Sequence, residues 1–142
     1  MSRTASRETA MKLLYQLDFH KDQKEEQFDF YLEESKVNEK NKLYVRDIIN
    51  GVEANQKFID EQIENNSKGW KMNRISKVNI AILRLAIYEL CFRNDIPVNV
   101  SINEAVELAK KFSSKDDSAF INGLLGKIKA CEKNLSGNKE ED

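Results

Sequence analysis

Between Val78 and Cys91, apolar residues stand at positions 78, 80, 82, 83, 85, 87, 88, 90 and 91. A single stripe of 3.6-residue period cannot hold them all, and a helix that is apolar nearly all round occupies a central position. The length of the run and its Leu, Ala and Glu favour helix over strand. Asn79, Arg84 and Glu89 interrupt it, and it falls short of the roughly 20 apolar residues that cross a bilayer. Residues 76–92 are therefore predicted to be the core helix of an all-α fold.

The flanking pattern supplies the remaining elements. Ala10, Leu13, Leu14 and Leu17 predict a first helix over about 4–19, with Ser2 or Thr4 as its cap. Phe28, Tyr31 and Leu32 predict a weaker helix over 25–35. Val45, Ile48, Ile49, Val52, Ile59 and Ile63 hold one face of a single long helix over about 40–65. Gly51 inside it costs roughly 1 kcal/mol relative to Ala, and close approach by another helix is the expected return. Asn65, Asn66, Ser67 and Gly69 read as a break, with Trp70 and Ile75 covering the joint. After the central helix, Asn94 to Pro97 is a turn, and Ser101-x-x-Glu104 spells a capping box. Phe120, Ile121, Leu124, Leu125 and Ile128 predict a last helix over about 116–134. The expected organisation is one domain over 1–135, with lobes over about 1–66 and 70–135, and a charged, disordered tail over 136–142.

Composition agrees with long helices and short loops: 142 residues include one proline, five glycines and 33% charged side chains. No signal peptide or membrane-spanning segment is visible in the sequence, so a cytoplasmic location is expected. Cys91 and Cys131 are expected to be reduced, buried thiols. The net charge of −1 hides an uneven distribution. Residues 22–65 carry six basic and twelve acidic side chains, whereas residues 68–93 carry six basic ones against the single Glu89. Such a chain can present a basic face to a polyanion; the alternative is that these charges merely solvate helix faces.

Arg3, Arg7 and Tyr15 lie along one flank of the first helix, where guanidinium forks can take phosphates and a ring can stack on a base. Phe120 sits at the margin of an inward stripe beside a helix N-terminus, a placement equally open to base stacking and to ordinary core packing. Arg84 interrupts the central helix and must be paired or reach the surface; Glu89 and Glu104 are the expected partners, with an RNA contact as the alternative. Asn103 reads as a buried hydrogen-bonding residue. Catalysis finds little support: His20 is the one histidine, no Cys or His pair has metal-ligand spacing, and no glycine-rich phosphate loop with lysine exists. No metal or cofactor is expected. The rival to RNA binding is a helical adaptor that uses the basic face for a protein partner.

ILRLAIYEL, then DIPVNVSINEAVELAKKF, then FINGLLGKI, is similar to the signature of the NusB family of bacterial transcription antitermination factors. SRTASRETAMKLLYQLDF and LYVRDIINGV resemble that family's first and third helices, so the likeness runs from about residue 3 to 130. It implies an all-helical fold of two small packed bundles, about seven helices in all. It also implies binding of single-stranded boxA RNA together with the ribosomal protein NusE, within a complex on RNA polymerase that suppresses termination, notably in ribosomal RNA operons. The family's RNA surface maps to Arg3, Arg7, Tyr15, Asp116, Phe120 and Asn122. Thr4 and Ser6 stand where other members carry arginine, which thins the basic segment. Arg74, Lys77 and Asn79 map to the protein-partner surface. A homodimer burying the first-helix arginines would mask RNA binding. NusB-like domains also precede some ribosomal RNA methyltransferases; this chain stops where that catalytic domain would start, so a free-standing factor is expected. The two helix beginnings, first and last, are expected to converge on one basic shelf.

Overall fold

A computed structural model describes residues 2–35 and 37–128. Seven α-helices occur among them: α1 (Arg3–Phe19), α2 (Lys24–Ser35), α3 (Glu39–Ala54), α4 (Gln56–Asn66), α5 (Lys77–Phe92), α6 (Val98–Phe112) and α7 (Lys115–Gly126). The all-α fold class read from periodicity is the observed one.

Local signals explain most boundaries. Ser2, Asn38, Ser76 and Ser114 cap α1, α3, α5 and α7, each side chain accepting an amide three residues on, which satisfies one orphan donor of the first turn. The single helix expected over 40–65 is two. Asn55 ends α3 and donates from its side chain to the Gly51 carbonyl at 2.9 Å, so a side chain competes with the helical ladder at the join. The capping box is also absent. Pro97 stands at the N-cap of α6, and Ser101 lies a turn inside it, where its hydroxyl donates to Glu89 at 2.7 Å. Pro97 presets the extended entry and lacks an N–H, so the helix starts earlier than the serine suggests.

The twelve residues Asn79 to Leu90 are all buried, and α5 packs against α1, α3, α4, α6 and α7. One contiguous cluster of buried apolar side chains from every helix surrounds it. Gly51 is needed where α3 crosses α5: a Cβ there would lie 2.2 Å from the Tyr88 ring, well inside contact distance. Two expectations fail at the periphery. Of the two residues expected to cover the joint, Ile75 is buried but Trp70 is 54% exposed, and Asn103 is exposed. Cys91 is half-buried and disulfide-bonded, not the reduced buried thiol expected; it lies in the last turn of α5, off the fully buried stretch. Cys131, the end expected for the last helix near 134, and the tail over 136–142 lie outside the described residues. No described helix is long and apolar enough to cross a membrane.

Candidate nucleic-acid interface

The arginines of α1 are placed first by their partners. The Arg7 side chain is buried and donates from Nε to Glu89 at 2.8 Å and from Nη1 to Glu104 at 3.0 Å. Glu89 is fully buried; it also accepts from Ser101 and, in a very short bond, from the Tyr44 hydroxyl. Burial disfavours the Arg7 cation, but the hydrogen bond and charge of Glu89 outweigh it, so its pKa is raised. Burial first, then Glu89, pushes the Tyr44 hydroxyl up. Thr4 completes the group by donating to Glu104 at 2.6 Å. Arg3 lies over the Tyr44 ring, 4.2 Å from its centre, and reaches Asn41 at 3.5 Å. Arg7 is therefore a structural ion pair in this fold, with its fork occupied by carboxylates.

Arg84 follows the same logic with other partners than those expected. It holds Asp60 through two nitrogens, at 2.9 and 3.0 Å, and Asp18 at 3.2 Å. Lys77 adds a 3.1 Å contact to Asp18. Burial pushes the Asp18 carboxyl up, and the hydrogen bonds of Lys77 and Arg84 overcome that, so its pKa is lowered. Glu89 and Glu104 were out of reach because α5 aims Arg84 at α1 and α4. On the outer side of α1, Lys12 and Lys111 both hold Glu8, at 3.2 and 2.7 Å.

The cations without such partners lie elsewhere. Among the described residues Arg3, Lys21, Lys40, Lys57, Lys68, Lys71, Arg74, Lys115 and Lys127 form no ion pair, and of these Lys68, Arg74 and Lys127 line recesses beside Trp70 and Phe120. Lys68 and Gly69 take left-handed backbone, φ 54° and 87°. The tight turn after α4 is held by the Ser67 hydroxyl donating to the Trp70 carbonyl at 2.5 Å, and it leaves the Trp70 indole in solvent. Trp70 and half-buried Phe120 together line two recesses. One, of 170 Å³, is edged by Lys68 and Lys127. The other, of 310 Å³, is lined also by Arg74, Ile75, Ser76, Asn79 and Asp117. This is an aromatic ridge with free cations on both sides.

The residues predicted from sequence divide accordingly. Phe120, Arg74 and Asn79 meet at the larger recess. Asp116 and Asn122 are exposed on α7. Tyr15 is half-buried and edge-on to Phe19, 5.2 Å between ring centres. Arg7 does not join Phe120. Arg7 is tied to Glu89 near one end of α5 and Phe120 shares a recess with Asn79 near the other, ten residues or about 15 Å along the helix axis. Lys68 and Lys127 were not singled out from the sequence, and Trp70 was expected only to cover the joint. A signal existed for Lys68: no acidic residue stands between Glu64 and Glu89, so the cations there lack local partners. Among the described residues no group of His, Cys, Asp and Glu could hold a metal ion.

An all-helical domain with an exposed tryptophan and a half-buried phenylalanine beside unneutralised cations has the surface that polyanion-binding helical modules use. The NusB family profile matches residues 4–130, and the chain belongs to that family. The transcription antitermination protein NusB of Acetivibrio thermocellus is 54% identical, over 100% of this chain and 99% of that protein. That of Ruminiclostridium cellulolyticum is 49% identical, over 90% and 88%. Among solved structures, T. maritima NusB superposes with a TM-score of 0.81 at 34% identity, covering 95% of this chain and 98% of that one. A structure of antitermination factors NusB and NusE in complex with dsRNA superposes with a TM-score of 0.79 at 26% identity, over 87% and 92%.

Proposed function

We propose that this chain is a cytoplasmic transcription antitermination factor. It binds boxA of nascent RNA together with NusE, within an RNA polymerase complex that suppresses termination, notably in ribosomal RNA operons, and it catalyses no reaction. Its relatives carry the antitermination name, and one solved assembly of the fold contains NusE and RNA. The observation that carries the reading is the Trp70–Phe120 ridge with Lys68, Lys127 and Arg74 unpaired around it. Stacking rings and free cations are what an unpaired strand requires.

The RNA surface is centred on Phe120 and Trp70, with Asp116 and Asn122 on the same helix as Phe120. Arg74 and Asn79, assigned to the protein partner by the resemblance, share a recess with Phe120, so the partner surface adjoins the RNA surface. Lys77, on the rim between α5 and α1, is retained for NusE. Arg3 and Tyr15 extend the surface along α1, and Arg7 supports it from within.

Gel-shift titration with single-stranded boxA RNA, with and without NusE, tests this. Weak binding alone and tighter binding with NusE are expected, since two surfaces on one assembly raise each other's effective concentration. Log affinity should fall linearly with log salt, by about 0.7 per phosphate contact. Salt-insensitive binding would instead favour a protein-binding adaptor. Phe120→Ala should weaken RNA binding by about 1–3 kcal/mol; unchanged affinity in a folded variant would remove Phe120 from the site.

A further inference from the structure

Leu43 is the most exposed large apolar side chain among the described residues, at 71%. It stands on α3 away from Val45, Ile48, Ile49 and Val52, which are all buried; two steps along a helix turn a side chain by about 200°. The inward stripe of α3 is complete without it. α2 and α3 both pack on α1 and leave a cleft of 300 Å³ between them. Phe28 and Leu32 of α2, both buried, form its floor, and Leu43 is its apolar wall. Phe30, also on α2, is 57% exposed. Exposed apolar side chains gathered at a cleft with a polar rim mark an interaction site.

The rim of the cleft is acidic. α2 carries Lys24 against Glu25, Glu26, Asp29, Glu33 and Glu34, and Lys24 is held by Glu53 of α3 at 3.0 Å. Arg46 lies over the Phe28 ring, 3.9 Å from its centre, and meets Glu25 at 3.6 Å. Lys42 meets Glu39 at 3.5 Å. Long contacts between exposed groups contribute little. Asp29 and Glu33, exposed at the cleft, form no ion pair. An apolar floor under a negative rim repels an RNA strand and attracts a cation. The cleft shares no residue with the two recesses beside Trp70 and Phe120.

We propose that the cleft between α2 and α3 docks a short basic amphipathic helix of a protein partner. An apolar side chain of the partner enters between Leu43, Phe28 and Leu32, and its lysines or arginines meet Asp29 and Glu33. A groove between two helices receives a third by the same ridge-and-groove packing that builds the fold, and no strand edge exists among the described residues to receive an extended peptide. Helices docked in grooves present apolar anchors at i, i+3, i+4 and i+7. Burial of the anchor supplies affinity, and the charges set the encounter rate and exclude acidic partners. This surface is additional to the RNA-binding one and does not depend on it.

Fluorescence anisotropy with a labelled helical peptide of leucine and lysine, leucines at i, i+3, i+4 and i+7, tests this. One control peptide carries glutamate for every lysine; the other keeps the composition but scrambles the order, so that no apolar face forms. The wild-type chain is expected to bind the lysine helix about tenfold more tightly than either control. Leu43→Asp should weaken that binding about tenfold, as loss of an anchor's pocket does. Glu33→Lys should weaken it at low salt and less at high salt. Both side chains are exposed, so the fold tolerates both changes. Amide chemical-shift changes should concentrate at residues 28–33 and 39–46, and binding should persist with NusE and boxA RNA at saturation. Absence of binding, equal affinity for the three peptides, unchanged affinity in either variant, or displacement by NusE or RNA would each overturn the proposal. A wild-type dimer that Leu43→Asp dissociates in sedimentation would also overturn it, by giving the face to a second copy of the chain.

Discussion

Arg7 shows how far a residue's neighbours can change its role. Its spacing from Arg3 allows a phosphate contact and the family resemblance implies one, yet its fork is filled by Glu89 and Glu104. Burial of the pair makes its loss costly in one direction only. Arg7→Ala leaves the fully buried Glu89 short of one donor, and breaking a buried pair costs about 3–5 kcal/mol. Urea unfolding should register that loss, while RNA affinity of the remaining folded protein changes little. A large affinity loss with wild-type stability would return Arg7 to the RNA surface. Arg84 belongs to the same category, held by Asp18 and Asp60. No local pattern reveals either arrangement, because the carboxylates that matter are 82 and 97 residues away from Arg7 and 24 and 66 away from Arg84.

At the scale of elements, the hydrophobic period located the helices well because a buried face repeats every 3.6 residues wherever it packs. The first, second and central helices fall within a residue or two of the predicted spans. The errors came from side chains with two uses. Ser101 and Glu104 have capping spacing but serve Glu89 and Arg7. Asn55 sits within an unbroken apolar stripe and still ends α3. Gly51 was legible as a close approach, and the structure supplies the Tyr88 ring as what approaches. Gly51→Ala must displace that ring, whose hydroxyl donates to Asp47 at 2.9 Å. Overpacking of this kind costs about 1–3 kcal/mol. The thermal midpoint should fall, and the Tyr88 hydroxyl, held up at about 12 by burial and by Asp47, should titrate closer to its ordinary value. An unaltered midpoint would mean that the α3–α5 crossing relaxes freely.

For the molecule as a whole, carboxylates held by cations or hydroxyls set the acid limit of the fold. Glu8, Asp18 and Asp117 all have pKa values below their ordinary ones, 4.5 for Glu8 and 3.8 for the two aspartates. For Glu8 and Asp18 burial works against the shift, and the lysine and arginine hydrogen bonds prevail. A lowered carboxyl stabilises the fold above its unfolded value and loses that contribution as the pH falls through its folded value. Unfolding free energy should therefore be level above about pH 5 and decline below about pH 4. Urea midpoints between pH 6 and pH 2 measure this, and Asp18→Asn should flatten part of the slope. A midpoint that rose on acidification would contradict these pairings.

The order of helices, the buried α5 and the family could be read from the chain itself, because apolar periodicity and short signature runs are local properties. The aromatic ridge could not. Folding selects among the cations: it pairs Arg7, Lys77 and Arg84 with carboxylates brought from distant helices. It leaves Lys68, Arg74 and Lys127 around Trp70 and Phe120 without such partners. Which positive charge remains available to a ligand depends on the distance to every carboxylate in space, and only the packed helices define those distances.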